Sequence, residues 1–295
     1  MSVAEQFTAA PPEQCAGGGA YAYSMPADVH SLGEFFDRHP RLFVVTGAGC
    51  STESGIPDYR GADGEWKRKQ PIELQPFMRE ELTRARYWAR SLGGWRNFRG
   101  ATPNAAHEAL AKLESAGRIG LLVTQNVDGL HQAAGSRRVI DLHGRLDRVV
   151  CMSCRNTSSR TGWQARLEAL NVSWRGLHAP IAPDGDADLE GLDFSTFLVP
   201  ACPSCGGIVK PDVVFFGESV PPWRHAQATA ALAKSDAMLV VGSSLMVRSG
   251  YRYALTAARL GKPVAAVNLG RTRADHLLTL KVSAAAGTTL RALVA

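Results

Sequence analysis

The sequence predicts an α/β protein: a doubly wound parallel sheet joined to a smaller module built around cysteines. Three observations carry this. Short, wholly apolar runs, as made by strands buried on both faces, alternate with helical stretches from Leu42 to Val267. Those strands end in glycines, small residues or amides, as the carboxyl edge of an open sheet does where a ligand approaches. Two Cys-x2-Cys pairs, Cys151/Cys154 and Cys202/Cys205, interrupt the alternation.

Bulk properties set the class. At 295 residues, 45% hydrophobic and 20% charged, the chain suits a globular protein with one large core and a satellite module. No apolar run approaches the ~20 residues that cross a bilayer, and the N-terminus lacks a secretory layout, so a cytoplasmic location without a membrane partner is expected. The net charge of +6 reads as an arginine-rich solvated surface, since no stretch interleaves aromatics with clustered Lys and Arg as a nucleic-acid platform does.

In chain order, residues 1–26 are rich in Ala, Gly and Pro and read as a frayed tail. Leu32, Phe35 and Phe36 fall at helical spacing in Ser31 to His39, which Pro40 stops. Leu42 to Val45 is a buried strand running into Gly47 and Gly49, which permit a tight turn and leave backbone N–H groups uncovered. Ser51 and Thr52 are placed to cap a following helix, so the turn is a candidate pyrophosphate cradle. Thr52 stands where the usual dinucleotide fingerprint has its third glycine, and no acidic residue follows about 20 residues later in a second-strand setting. The motif is a variant, and a tight turn without a ligand is the alternative.

From Trp66 through Pro71, Phe77, Met78, Leu82, Tyr87, Trp88 and Trp95, the pattern predicts short helices and loops outside the main sheet. Tyr87 and Arg90 share a face if helical, either to meet an anionic group or as a packed Tyr beside a surface Arg. Asn104 opens a helix through Leu113 that stops at Gly117. The next strand, Ile119 to Val123, ends in a polar cluster in which Gln125, Asn126 and Asp128 form a donor and acceptor set for a polar ring substituent or a sugar. His143, in the apolar run Val139 to Gly144, is a base if it lies in a cleft between modules and a packing residue otherwise.

The cysteine quartet has the strongest spacing signal. Four thiolates without histidine imply a closed structural zinc site; two disulfides, which need an oxidising compartment, and an iron–sulfur cluster are the alternatives. Between the pairs, Asp184, Asp186, Asp188 and Glu190 form an acidic loop out of register for calcium. Of the other cysteines, Cys15 lies in the tail and Cys50 in the glycine turn, where it is a reactive thiol or a packing residue. Lys210 to Ser219 predicts an apolar strand closing on Gly217 and Glu218. A helix over Arg224 to Lys234, a strand over Ala237 to Val241 ending in Gly242-Ser243-Ser244, a helix over Tyr251 to Leu260 and a last clear strand over Pro263 to Val267 follow.

With these segments side by side, the chain resembles the sirtuins, the family of NAD-dependent protein deacylases. The resemblance rests on Gly47-Ala48-Gly49 with Ser51 to Arg60, Thr124 to Asp128, Leu142-His143-Gly144, the cysteine quartet, Val213 to Glu218 and Gly242-Ser243-Ser244. Arg86 to Arg90 and Ala182 to Asp186 further resemble the class II branch, of bacterial and mitochondrial type.

The resemblance implies a Rossmann-like domain over 27–60, 101–145 and 211–295. It also implies a small domain formed by a helical module, 61–100, and a zinc ribbon, 146–210. Cys151, Cys154, Cys202 and Cys205 would hold one structural Zn2+. Gly47, Ala48, Gly49, Ser51, Thr52, Asp58, Tyr59 and Arg60 would line NAD together with Gln125, Asn126 and Asp128. Gly242, Ser243, Ser244, Asn268, Leu269, Gly270 and Ala286 would complete that lining. Asn126 would act at the nicotinamide ribose, and His143 would be the general base. Val214, Phe215, Phe216, Gly217 and Glu218 would bind the peptide of an acylated-lysine protein strand beside strand.

The implied reaction passes the acyl group from lysine to ADP-ribose and releases nicotinamide. Protein mono-ADP-ribosyl transfer and a non-catalytic NAD-sensing module are the competing functions. Cys50, Tyr59 and Gly61 depart from the commoner family residues. Tyr87 and Arg90 fall in the region where acid-acyl-selective relatives carry a Tyr/Arg pair, which implies some acceptance of carboxylated acyl chains.

Overall fold

The computed structural model describes residues 27–61, 63–65, 67, 72–176, 189 and 191–294. The N-terminal tail with Cys15, Trp66 and Pro71, and the acidic residues Asp184, Asp186, Asp188 and Glu190 lie outside the described residues.

In chain order the strands are β1 (Leu42–Thr46), β2 (Ile119–Thr124), β3 (Val139–Asp141), β4 (Gly144–Cys151), β5 (Thr157–Ser159), β6 (Val209–Val213), β7 (Ala237–Val241), β8 (Val264–Val267) and β9 (Leu280–Val282). The helices are α1 (Ala27–Arg38), α2 (Leu74–Arg79), α3 (Glu81–Arg99), α4 (Ala105–Ser115), α5 (Leu130–Ala133), α6 (Arg160–Leu170), α7 (Pro222–Ala233), α8 (Arg248–Arg259) and α9 (Ala286–Leu293).

Six strands pair in the order β3-β2-β1-β7-β8-β9, every pair parallel. Alternate residues of β1 explain why both faces are covered. Leu42 and Val44 pack with residues of α1, α4 and α9, while Phe43 and Val45 pack with residues of α7 and α8. All five β1 residues are buried, so the run needs no polar face. Strand order reverses between β1 and β7, and a doubly wound sheet binds its ligands at the carboxyl end of that reversal.

The other three strands form an antiparallel sheet, β5-β4-β6. It shares a core with α2, α3 and α6, in which Phe77, Tyr87, Trp88, Trp163, Leu167 and Phe215 pack together. Within that core Arg160 is 1% exposed. Its guanidinium stacks on Trp88 and Trp95 and donates to Gln164 Oε1 and to the Ser91 carbonyl. The chain crosses between the two sheets at Leu142 and His143, where β3 ends and β4 begins.

Several expectations change. No α-helix follows the glycine turn: Ala48–Cys50 and Thr52–Ser54 are single 3-10 turns without side-chain caps, because the chain must bend at once into the irregular segment towards Arg60. The 61–100 stretch holds one long helix, α3 of 19 residues, beside α2. The strand from Lys210 stops at Val213, and Gly217 at φ +75° turns the chain back, so the Glu218 N–H donates to the Phe215 carbonyl. The parallel sheet also continues past Val267 with β9, after which α9 closes one face.

Candidate active site

The site is built on close contact between two strand ends. Past β1, the Gly47 N–H donates to the Val241 carbonyl and the Gly49 N–H to that of Gly242. A Cβ on Gly47 would sit 2.8 Å from the Ser243 Oγ, and one on Gly242, at φ +57°, would sit 2.2 Å from the Cys50 nitrogen. Glycine is therefore obligatory where the strand ends touch, and the turn's backbone stays free of side-chain cover. Gly242→Ala is expected to cost about 2 to 5 kcal/mol in urea unfolding, with loss of dinucleotide binding by calorimetry. α9 opens onto the same cavity, since its first residue, Ala286, is part of the lining.

That cavity has a volume of about 1100 Å³, at the upper end for ligand pockets and roomy enough for a dinucleotide beside a second substrate. Of the residues singled out in the sequence for cofactor, catalysis or peptide, all line it except Arg90. Tyr87 reaches the cavity from a buried position, edge-on to Phe77. Arg90 is half-buried on α3.

The polar cluster after β2 is tied to both strand ends. Gln125 Nε2 donates to Ser243 Oγ at 2.6 Å and to the Thr46 carbonyl at 3.2 Å. Asn126 Nδ2 donates to the Gly47 carbonyl at 3.1 Å and to Ser51 Oγ at 2.9 Å, and Ser51 Oγ donates to Asp128 Oδ2 at 2.8 Å. The second Asp128 oxygen accepts the Leu130 N–H that opens α5. An amide, a hydroxyl and a carboxylate are thereby fixed around one point of the rim. Asn268, at the end of β8, is held by its own bond to the Gly270 carbonyl.

His143 sits at the crossing between the sheets. Its Nδ1 is 2.9 Å from the Gln125 carbonyl, which only accepts, so Nδ1 carries the proton. Nε2 is then a lone pair, and it accepts the Ser249 hydroxyl at 2.8 Å. Burial, with Arg224 and His225 nearby, lowers the imidazole pKa to about 4 against the opposing pull of the Gln125 carbonyl. The residue is a neutral base with a defined basic atom.

No local pattern in the sequence marks Ser249, because its partner lies 106 residues away. Its place in the first turn of α8, just beyond Gly242-Ser243-Ser244, was the available signal. Cys50 is 1% exposed, and burial, reinforced by Asp128 and Glu53, pushes its thiol pKa up, which favours the packing residue over the reactive thiol of the two readings.

The segment after β6 is braced from inside. Lys210, 3% exposed, pairs with Glu218 at 3.1 Å and also donates to the Val213 carbonyl, while Glu218 Oε2 accepts the Phe215 N–H. Removing the carboxylate strands a buried ammonium. Glu218→Ala is expected to cost about 3 kcal/mol in urea unfolding.

The four cysteines converge at the end of β4. A tetrahedral zinc with Zn–S bonds of about 2.3 Å holds its sulfurs about 3.8 Å apart. The Cys151 and Cys205 sulfurs are 3.5 Å apart, those of Cys154 and Cys202 3.8 Å, and all four lie within 4.8 Å of one another. These are ligand separations, far longer than a disulfide bond, and they fit one structural zinc.

Fold and site define a dinucleotide-binding α/β protein with a thiolate metal module. The Sir2 family model matches residues 47–249. A protein named NAD-dependent protein deacetylase from Bordetella bronchiseptica is 63% identical over 260 residues, 88% of this chain and 95% of that protein. NAD-dependent protein deacetylase 2 of Bradyrhizobium diazoefficiens is 63% identical over 257 residues, 87% and 94% of the two chains. A solved structure of Sir2 with a p53 peptide and NAD+ superposes with a TM-score of 0.71 at 30% identity, covering 90% of this chain and 96% of that one. Another, of Sir2 bound to acetylated peptide, gives 0.69 at 28% identity over 90% and 97%. The chain belongs to the Sir2 family.

Proposed function

We propose that this protein is an NAD-dependent protein lysine deacetylase in which His143 is the general base. The observation that carries the proposal is the placement of a neutral imidazole, its tautomer fixed by the Gln125 carbonyl, in one cavity with the glycine-lined rim between β1 and β7. The curated relatives named as deacetylases and the Sir2 structures with acetylated peptide and NAD+ support the same activity.

NAD, when bound, supplies the ribose carbon that takes the acyl oxygen as nicotinamide leaves. The chain's part is to hold and orient. The bare Gly47 to Gly49 turn and the α9 terminus receive the pyrophosphate. Asn126, Ser51 and Asp128 fix the nicotinamide ribose, and Gln125 and Ser243 support them from the adjoining strand end. Nε2 of His143 takes a ribose hydroxyl proton, for which an un-ionised imidazole is the competent form. Ser249 holds that nitrogen in the free protein and would yield it to the sugar hydroxyl of bound NAD. Val214 to Glu218, braced by Lys210, receives the acetyl-lysine peptide.

We propose a division into 27–60, 101–145 and 211–295 against 61–100 and 146–210; the separate parallel and antiparallel sheets favour it, although β4 begins and β6 ends inside the larger part. We place the chain in the class II branch on Arg86 to Arg90. Acceptance of carboxylated acyl chains has Tyr87 in its favour; Arg90, absent from the cavity lining, does not add to it.

The test is incubation with NAD and an acetyl-lysine peptide, read by mass spectrometry. Deacetylated peptide, nicotinamide and O-acetyl-ADP-ribose in equal amounts are expected. Labelled protein with intact peptide would replace this reading with ADP-ribosyl transfer, and NAD binding without turnover would replace it with a sensing module.

A further inference from the structure

Among the described residues, a second group of metal-type donors lies apart from the cysteine quartet, beneath the glycine turn. Cys50 comes from that turn, His107 from the first turn of α4 and His131 from α5, and none is more than 1% exposed. Their donor atoms all lie within 4.8 Å of one another, and the two imidazole rings are 4.8 Å apart at 59°.

The hydrogen bonding is incomplete at one atom. His131 Nε2 lies 2.8 Å from Thr46 Oγ1, but its Nδ1 is buried with no partner among the described residues. An orphaned buried ring nitrogen needs an occupant such as a water or an ion. Its neighbours decide which: a thiol and a second imidazole form a donor set that ordinary packing does not require.

We propose that Cys50, His107 and His131 bind a transition-metal ion of the zinc type, separate from the four-cysteine site. Binding displaces the Cys50 thiol proton to solvent, and the resulting thiolate with two imidazoles suits a borderline-soft ion, while three protein ligands leave a fourth position open. His131 coordinates through Nδ1, while its Nε2–H donates to Thr46 Oγ1, the outer contact that orients a ligating imidazole. His107 Nδ1 is engaged by the Asn104 cap, which leaves Nε2 for the metal. That nitrogen lies 3.4 Å from Ser51 Oγ, the hydroxyl that also bonds Asn126 and Asp128.

Ligation at His107 therefore draws on the network at the dinucleotide rim. The Cys50 carbonyl, accepting from Asn104 Nδ2 at 2.9 Å, ties the same turn to the α4 cap. The proposal goes beyond the deacetylase reading and does not depend on it.

The test uses the full chain with the zinc of its cysteine quartet in place, reduced without added thiols and titrated with Co2+, while metal analysis follows zinc in the same sample. Expected is one equivalent of cobalt taken up with no zinc released and a single-thiolate charge-transfer band. Cys50→Val should lose that equivalent, and His131→Gln should weaken it by about tenfold or more. The proposal is overturned if the wild-type protein takes up cobalt only in exchange for released zinc. It is equally overturned if folded Cys50→Val and His131→Gln proteins bind cobalt as tightly and with the same band. Should either variant fail to fold, the wild-type titration still decides.

Discussion

Replacing His143 with alanine is expected to lower turnover by about 10²- to 10⁴-fold, the usual contribution of a general base, while NAD binding changes little. That loss corresponds to about 3 to 5 kcal/mol of barrier. The asymmetry follows from the geometry, since the His143 side chain is bonded to the Gln125 carbonyl and Ser249, whereas the rim is shaped by Gly47, Gly242 and the Asn126 network. Steady-state kinetics and calorimetry with NAD measure the two effects separately. Retained turnover would remove His143 from the role.

The same residue fixes a pH dependence. Its pKa is about 4 in the fold and near 6.5 unfolded, so between those values the unfolded chain binds the extra proton. The stability contributed by the neutral imidazole is complete above about pH 6.5 and is lost as the pH falls towards 4. Burial shifts His107 and His131 in the same direction, so acid unfolding should steepen in that window. The acid limb of kcat/KM, which reports the free enzyme, is expected near pH 4 rather than 6.5.

Cys202→Ala is the second large effect. Structural zinc in small modules contributes about 10 to 16 kcal/mol of apparent folding free energy, far more than a three-stranded sheet holds in reserve. The quartet joins the end of β4 to the approach to β6, so losing the metal frees both strands and the Val214 to Glu218 segment that β6 positions. Loss of zinc, partial loss of circular dichroism and lost peptide binding are expected. The parallel sheet has its own core on both faces and should persist. Unchanged zinc content and melting in Cys202→Ala would contradict the assignment.

What could be seen in the sequence was whatever is local. An apolar run ending in glycine announces a strand end in a few residues, and Cys-x2-Cys states its own chemistry. β9 escaped because it has three residues, and α3 because Arg, Trp and Gly obscure its apolar face. Arg160 would be assigned to the surface by type, yet it lies between Trp88 and Trp95 because three acceptors satisfy its guanidinium. Contacts across the fold, such as Ser249 with His143 or Lys210 with Glu218, depend on where turns place side chains, which periodicity does not encode. The missing helix after Ser51 has the same origin: cap residues were present, but the turn's packing against Gly242 dictated the path.

A crystal structure with NAD bound tests the central claim most directly. The dinucleotide should lie along the carboxyl ends of β1 and β7, its pyrophosphate over Gly47 to Gly49, with a ribose hydroxyl about 2.6 to 3.2 Å from His143 Nε2 in place of Ser249. A ligand bound elsewhere with the rim empty, or an imidazole turned from the sugar into the apolar interior, would contradict it.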